Sequence, residues 1–316
     1  MSEIARKIAI IGAGPVGAIL SAHLCSAGHT VILVESWKEH RDCIKAKGLH
    51  IVGREDLHAR PAQLLGSVGE LGDPIPEFVF ICTKACDIGN VLGGMSDTIK
   101  RSNAVFLSFQ NGIDTEQAVA EHIERHRVLR GVVSYAGVLV APGEIRESFF
   151  TPPNYLGWLD ERGAEACRDA AALVSASGLA TEATDQIGKY VWRKAILNSC
   201  TMAIAAITGM NMRDMIEFPP TAQLVDLLLQ ESVAIAAAYG FDYGPGFMES
   251  VRDFNRKAGP HKPSMHADIE NRRRTENPFL IRRIAERAEE KGIPAPYHRT
   301  VANLIDALEK RALERR

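Results

Sequence analysis

The run KIAIIGAGPVGAILSAHLCSAGHTVILVE near the N-terminus constrains the fold more than any other part of the chain. Ile8 to Ile11 form a short apolar strand, Val31 to Val34 a second, and an apolar-periodic helix lies between them. Gly28 and His29 end that helix as a C-cap pair does. Strand, glycine turn, helix and strand follow within about 30 residues, the size of a βαβ crossover, so the chain opens a parallel sheet. Gly12-Ala13-Gly14-Pro15-Val16-Gly17 matches GxGxxG directly after a strand and at the opening of a helix, the context in which the pattern carries meaning. Gly12 permits the tight turn. Gly14 lets the backbone approach a pyrophosphate at the helix N-terminus, and Gly17 allows close helix–strand packing. Pro15 and Val16 complete this dinucleotide-binding turn. Glu35 ends the second strand, where a carboxylate can accept hydrogen bonds from both ribose hydroxyls and repels a 2′-phosphate. Lys38 and Arg41 follow closely, so NADH is only modestly favoured over NADPH.

The alternation continues. Glu77 to Cys82, Ala104 to Phe109 and Val128 to Val133 are further strand candidates, and a doubly wound sheet fits to about residue 130. From Tyr135 to Asp160, turn residues (Pro142, Gly143, Pro152, Pro153, Asn154) separate short β-rich runs, which predicts antiparallel strands closing the domain. A helix over Gly163 to Ser177 and a strand near Leu179 to Ala183 complete it. Beyond Asp185 the text is helical throughout, with segments at 187–202, 221–239, 247–257, 264–274, 279–291 and 297–313. The expected fold class is α/β: a Rossmann-type dinucleotide-binding domain over 1–185 and an all-helical substrate and dimerisation domain over 186–316.

Composition narrows the partners. The 37 Lys plus Arg against 39 Asp plus Glu leave a formal charge of −2, with 46% hydrophobic residues, which argues against disorder and against a nucleic-acid surface. Six scattered cysteines form no CxxC pair or zinc spacing, so no metal is expected and the thiols suit a reducing cytosol. No uninterrupted apolar run reaches the roughly 18 residues of a membrane span, and no signal-peptide core precedes the first strand. The expected location is cytoplasmic, with no membrane partner. A homodimer is one option for the helical half, although no uninterrupted apolar stripe marks its face.

Lys194 and Asn198 are four apart on a predicted helix and share one face, where a cation and an amide on an otherwise apolar helix mark a cleft. Ser264, after Pro263, reads as the N-cap of its helix. Five segments in order then point one way: the GAGPVG turn, Thr83-Lys84-Ala85, Gln110-Asn111-Gly112, Trp192-Arg193-Lys194 with Asn198, and Pro263-Ser264-Met265 followed by Arg274-Thr275-Glu276. With them the chain resembles the ketopantoate reductases, which pair a Rossmann domain with a helical one. The resemblance implies reduction of a branched 2-oxo acid, 2-dehydropantoate by default, with NADPH as the usual family cofactor. It implies that Lys84 lies near the cofactor and Asn111 where nicotinamide meets substrate. Lys194 is then the general acid, Asn198 orients the substrate, Ser264 binds its carboxylate, and Glu276 contacts both lysine and substrate.

The chain departs from the family pattern where the substrate is expected. Met202 stands where the family commonly has a second asparagine, Asn277-Pro278 follows the glutamate in place of Ile-Asp, and Ser36 replaces an arginine often seen in NADPH users. Two alternatives follow: a D-2-hydroxyacid dehydrogenase-like relative acting on another 2-oxo acid, which an apolar Met202 suits, or a non-catalytic dinucleotide-binding regulator, which has no need of a proton donor such as Lys194.

Overall fold

The computed structural model describes residues 5–314. It divides into two compact units, one of Met1–Gln110 with Asp114–Ile187 and one of Asn111–Ile113 with Gly188–Arg316.

The first unit opens with β1 (Lys7–Ile11), α1 (Pro15–Ser26) and β2 (Thr30–Val34), followed by α2 (Lys38–Lys47). Three short strands come next, β3 (Leu49–Gly53), β4 (Leu57–Ala59) and β5 (Gln63–Leu65). Then come β6 (Phe78–Ile81), the short helices α3 (Ile88–Gly94) and α4 (Asp97–Lys100), β7 (Val105–Ser108), α5 (Thr115–Ala120) and β8 (Val128–Val132). A hairpin of β9 (Tyr135–Ala141) and β10 (Glu144–Phe150) leads to β11 (Asn154–Trp158), α6 (Ala164–Ala176) and β12 (Thr181–Ala183).

Eight strands form one sheet in the order β12-β11-β8-β7-β6-β1-β2-β5. From β5 to β8 neighbouring strands are parallel, and β11 runs antiparallel to β8. Strands buried on both faces read as unbroken apolar runs, and Ile8 to Ile11, Val31 to Val34 and Phe78 to Ile81 are all buried. Because β1 has β2 on one side and β6 on the other, the strand order reverses at β1, which is the switch point where open α/β sheets bind ligands.

The region 135–160 forms the expected antiparallel strands, β9 with β10 and β11 with β8, but divides them between two sheets. Only β11 joins the main sheet. β9 and β10 pair with β3 and β4 in a separate sheet, order β4-β3-β10-β9, in which β10 runs parallel to β3. Periodicity announces strands but is silent on partners far apart in the chain.

The second unit is helical: α7 (Ile187–Thr208), α8 (Met212–Glu217), α9 (Pro219–Ala238), α10 (Phe247–Ala258), α11 (Ser264–Glu270), α12 (Ile281–Glu290) and α13 (Pro296–Glu314). α11 stops short of the expected Arg274 because Arg272 turns to a positive φ of 54°. α9 is long and apolar enough to cross a membrane by length and composition. It carries Asp226 and Glu231, however, which pair with Arg252 at 2.8 Å and His298 at 2.7 Å within the same unit, as in a protein-core helix.

Candidate active site

In the first unit, the glycine turn is shaped by what cannot fit. Gly12 has φ +99°, and a Cβ there would lie 3.1 Å from the Thr83 backbone nitrogen. A Cβ on Gly17 would lie 2.0 Å from the Gly12 carbonyl oxygen, so the first turn of α1 can close on β1 only with glycine. By contrast, a Cβ on Gly14 would meet nothing within 4 Å. That open space over bare backbone, at the uncapped N-terminus of the twelve-residue α1, fits a diphosphate. Thr83 Oγ1, at the rim, is buried with no hydrogen-bond partner among the described residues, the kind of group a polar ligand satisfies. Lys84 follows it, half-buried. These residues fit a dinucleotide.

The Ala13 peptide is held at both ends. Its N–H donates to Glu35 Oε2 at 2.9 Å, and its carbonyl lies 3.0 Å from His40 Nε2. His40 Nδ1 accepts the Gly143 N–H at 2.9 Å, which leaves Nε2 as the donor to the Ala13 carbonyl. The Tyr135 hydroxyl donates to the Val16 carbonyl at 3.2 Å. Burial, then nearby Cys82 and Glu147, push that phenol well above its usual range, which keeps it a donor. Glu35 Oε1 accepts the Trp37 N–H at 2.7 Å. Arg41 caps the strand end, donating to the carbonyls of Glu35 at 2.7 Å and Ser36 at 3.2 Å, while Lys38 pairs with Asp42 at 2.5 Å. Both cations that could oppose the Glu35 charge thus have other partners.

In the second unit, Lys194, Asn198 and Met202 recur every four residues along α7 and share a face. Lys194 and Met202 are half-buried and Asn198 is 4% exposed. Ser264 Oγ lies 3.8 Å from Met202 Sδ, which brings two of the expected substrate residues together. Ser264 is not the N-cap: Pro263 holds that position with no side-chain cap bond, and Ser264 is the first helical residue. Its hydroxyl therefore has no capping duty.

Asn111 Nδ2 donates to Glu276 Oε2 at 3.4 Å, joining residues 165 apart in sequence. Next to it, Gly112 has φ +115°, and a Cβ there would lie 2.6 Å from Phe279; the Ile113 N–H donates to the Phe279 carbonyl at 2.8 Å. The Thr275 N–H and hydroxyl both donate to Glu309 at 2.7 Å, and Asn277 Nδ2 donates to the Ala302 carbonyl at 3.0 Å and to Asp306 at 2.6 Å. With its two neighbours turned toward α13, Glu276 faces Asn111. Asn277, a departure from the family pattern, is a fully buried anchor.

Sequence reasoning missed His40, Tyr135, Thr83 as a separate group, and the Thr275 and Asn277 anchors. One signal for His40 was available: in the charged helix KEHRDCIKAK it stands four residues before Ile44, and these two alone are buried.

Residues 8–157 match the family profile described as Ketopantoate reductase PanE/ApbA, and residues 186–309 match that of its C terminal part. The 2-dehydropantoate 2-reductase of Streptococcus pyogenes serotype M1 is 26% identical over 303 residues, 95% of this chain and 97% of its own. A PanE/ApbA family ketopantoate reductase structure from Ralstonia eutropha JMP134 aligns at TM-score 0.87 and 24% identity, over 97% of this chain and 99% of that one. D-mandelate dehydrogenase in complex with NADH aligns at TM-score 0.85 and 25% identity, over 97% and 99% of the two chains.

Proposed function

The chain belongs to the ketopantoate reductase family, and from that premise we propose that it is an NAD(P)-dependent oxidoreductase that reduces a branched 2-oxo acid, 2-dehydropantoate to pantoate by default. The observation that carries this reading is the shared face of Lys194, Asn198 and Met202 on α7, with the Ser264 hydroxyl donating to Met202 Sδ at 3.8 Å.

A nicotinamide dinucleotide, when bound, supplies the hydride that the substrate's carbonyl carbon receives. The chain's residues bind, orient and move a proton. Gly12, Gly14 and Gly17 with the α1 N-terminus receive the diphosphate, Glu35 accepts from the ribose, and Lys84 lies near the cofactor. Asn111 meets both nicotinamide and substrate. As negative charge builds on the carbonyl oxygen, the Lys194 ammonium stabilises it and gives it a proton, leaving an alcohol and a neutral amine that solvent reprotonates. Asn198 orients the ketone, Ser264 donates to the carboxylate, and Glu276, held facing Asn111, sets the lysine's surroundings. NADH is the preferred cofactor on this reading, because Glu35 offers a carboxylate to the ribose while Lys38 and Arg41 have other partners. The six cysteines are free thiols, which suits the cytoplasm as the working compartment.

Met202 favours a second reading, a D-2-hydroxyacid dehydrogenase acting on an apolar or aromatic 2-oxo acid, and the likeness to D-mandelate dehydrogenase supports it. The test is a panel of 2-oxo acids assayed with NADH and NADPH. Efficient reduction of 2-dehydropantoate supports the default. An aromatic or hydroxyl-free acid turned over more than tenfold better moves the function to the second reading. No NAD(P)H oxidation with any 2-oxo acid overturns both and leaves a dinucleotide-binding regulator.

A further inference from the structure

The β3–β4 hairpin carries a side-chain cluster that the dinucleotide turn does not use. His50 on β3 and His58 on β4 stand directly opposite each other in the antiparallel register, so their side chains rise from the same face. Their rings stack with centroids 3.8 Å apart and planes 17° from parallel. Asp56, on the connecting turn, places Oδ1 2.9 Å from His50 Nε2 and 3.8 Å from His58 Nε2. One donor atom from each of the three residues lies within 4.8 Å of the others. A tetrahedral zinc ion with bonds of about 2.0–2.1 Å needs its ligand atoms about 3.3 Å apart, so small side-chain rotations close this set around an ion.

The surroundings of His50 fit the same purpose. Its other nitrogen, Nδ1, faces Glu144 Oε2 at 3.8 Å, and Glu144 is its parallel partner on β10. A carboxylate behind a ligating histidine fixes the ring and leaves the opposite nitrogen for the metal. A simple ion pair would need only one histidine. It gives no reason for a second imidazole stacked on the first and aimed at the same carboxylate oxygen.

We propose that His50, Asp56 and His58 form a site for a divalent transition-metal ion such as Zn2+, with two imidazole nitrogens and one carboxylate oxygen as protein ligands. The side chains of His58 and Asp56 are 66% and 78% exposed, so the ion enters from solvent and water completes its shell. The spacing H-x5-D-x-H contains no cysteine, which is why the cysteine pattern gave no hint of it. A bound ion ties β4, an edge strand, to β3.

The test is calorimetric titration of the tag-free, chelator-stripped full chain with ZnCl2. The expected result is one ion per chain, with affinity at least tenfold weaker in His58→Ala and that site lost in His50→Ala/His58→Ala, while circular dichroism stays unchanged. His58 is exposed enough that its single variant decides the matter if the double variant misfolds. Visible absorption bands on adding CoCl2, present in wild type and absent in His58→Ala, give a second readout. No zinc binding by wild type, or binding of equal stoichiometry and affinity in His58→Ala, overturns the proposal.

Discussion

The candidate residues in the two units are made of different materials. In the first, the parts are backbone: Gly12 and Gly17, whose missing Cβ atoms set the turn, the open space over Gly14, and Ala13, fixed at its N–H by Glu35 and at its carbonyl by His40. In the second, they are side chains, spaced by four along one helix or held on the anchored segment 275–277. The contrast teaches how each half fails and how each can change. A backbone site is broken by adding a carbon atom and tolerates much else. A side-chain site keeps its frame under substitution and changes its chemistry instead.

The sharpest test of that contrast is Lys194→Ala. Removing a group that meets a developing oxyanion costs on the order of 100-fold or more in kcat, while cofactor affinity and fold persist. Steady-state kinetics paired with direct NADH binding check it, and near-wild-type kcat would remove the general-acid role. Met202→Asn comes next. On the proposed function, the hydroxyl of 2-dehydropantoate meets the apolar Met202, and an unpaired polar group costs about 1–3 kcal/mol, roughly 10- to 150-fold. Wild type should therefore prefer the hydroxyl-free analogue 2-oxo-3,3-dimethylbutanoate, and Met202→Asn should shift kcat/KM toward 2-dehydropantoate by a similar factor. A wild-type preference of tenfold or more for 2-dehydropantoate would contradict this.

Gly17→Ala probes the backbone side of the comparison. Its Cβ would lie 2.0 Å from the Gly12 carbonyl oxygen, so the turn must open. The expected outcome is a stability loss of about 1–3 kcal/mol in denaturant titration, with weaker NADH binding and no change in the ranking of 2-oxo acids. A changed ranking would show that the two halves are not separable in this way. The smallest expected effect is in Glu35→Ser/Ser36→Arg, which removes a carboxylate and adds a phosphate-binding guanidinium. The ratio of kcat/KM for NADPH over NADH should rise about tenfold, in keeping with one charge-assisted contact of about 1.5 kcal/mol. Wild type that already prefers NADPH would reverse the assignment of Glu35.

The same contrast explains what could be read beforehand. The turn and its strands lie in one continuous stretch, so spacing and apolar runs reveal them without knowledge of the rest. Lys194, Asn198 and Met202 share a face by spacing alone, but nothing local says that Asn111 meets Glu276 or that Ser264 rests on Met202. The family motifs assign these residues to one substrate site and leave both pairings unstated. The second sheet was missed because β3 finds its partner β10 far along the chain. Ser264 was misread as a cap because serine after proline at a helix start suits that role, whereas here the proline itself occupies the cap position. Asn277 looked like a change in the substrate lining and is an anchor into α13.

The braces of the glycine turn also fix when it can form. Residues 12–17 are synthesised before the groups that brace them: the Gly143 N–H reaches His40 across 103 residues and the Tyr135 hydroxyl reaches Val16 across 119. Contacts between such distant residues carry a high loop-closure cost and form late. A nascent chain that ends before the β9–β10 hairpin holds the whole glycine motif and His40, without the Gly143 N–H that orients His40 and the Tyr135 hydroxyl that braces Val16. The glycine motif is thus made well before the contacts that brace it can form.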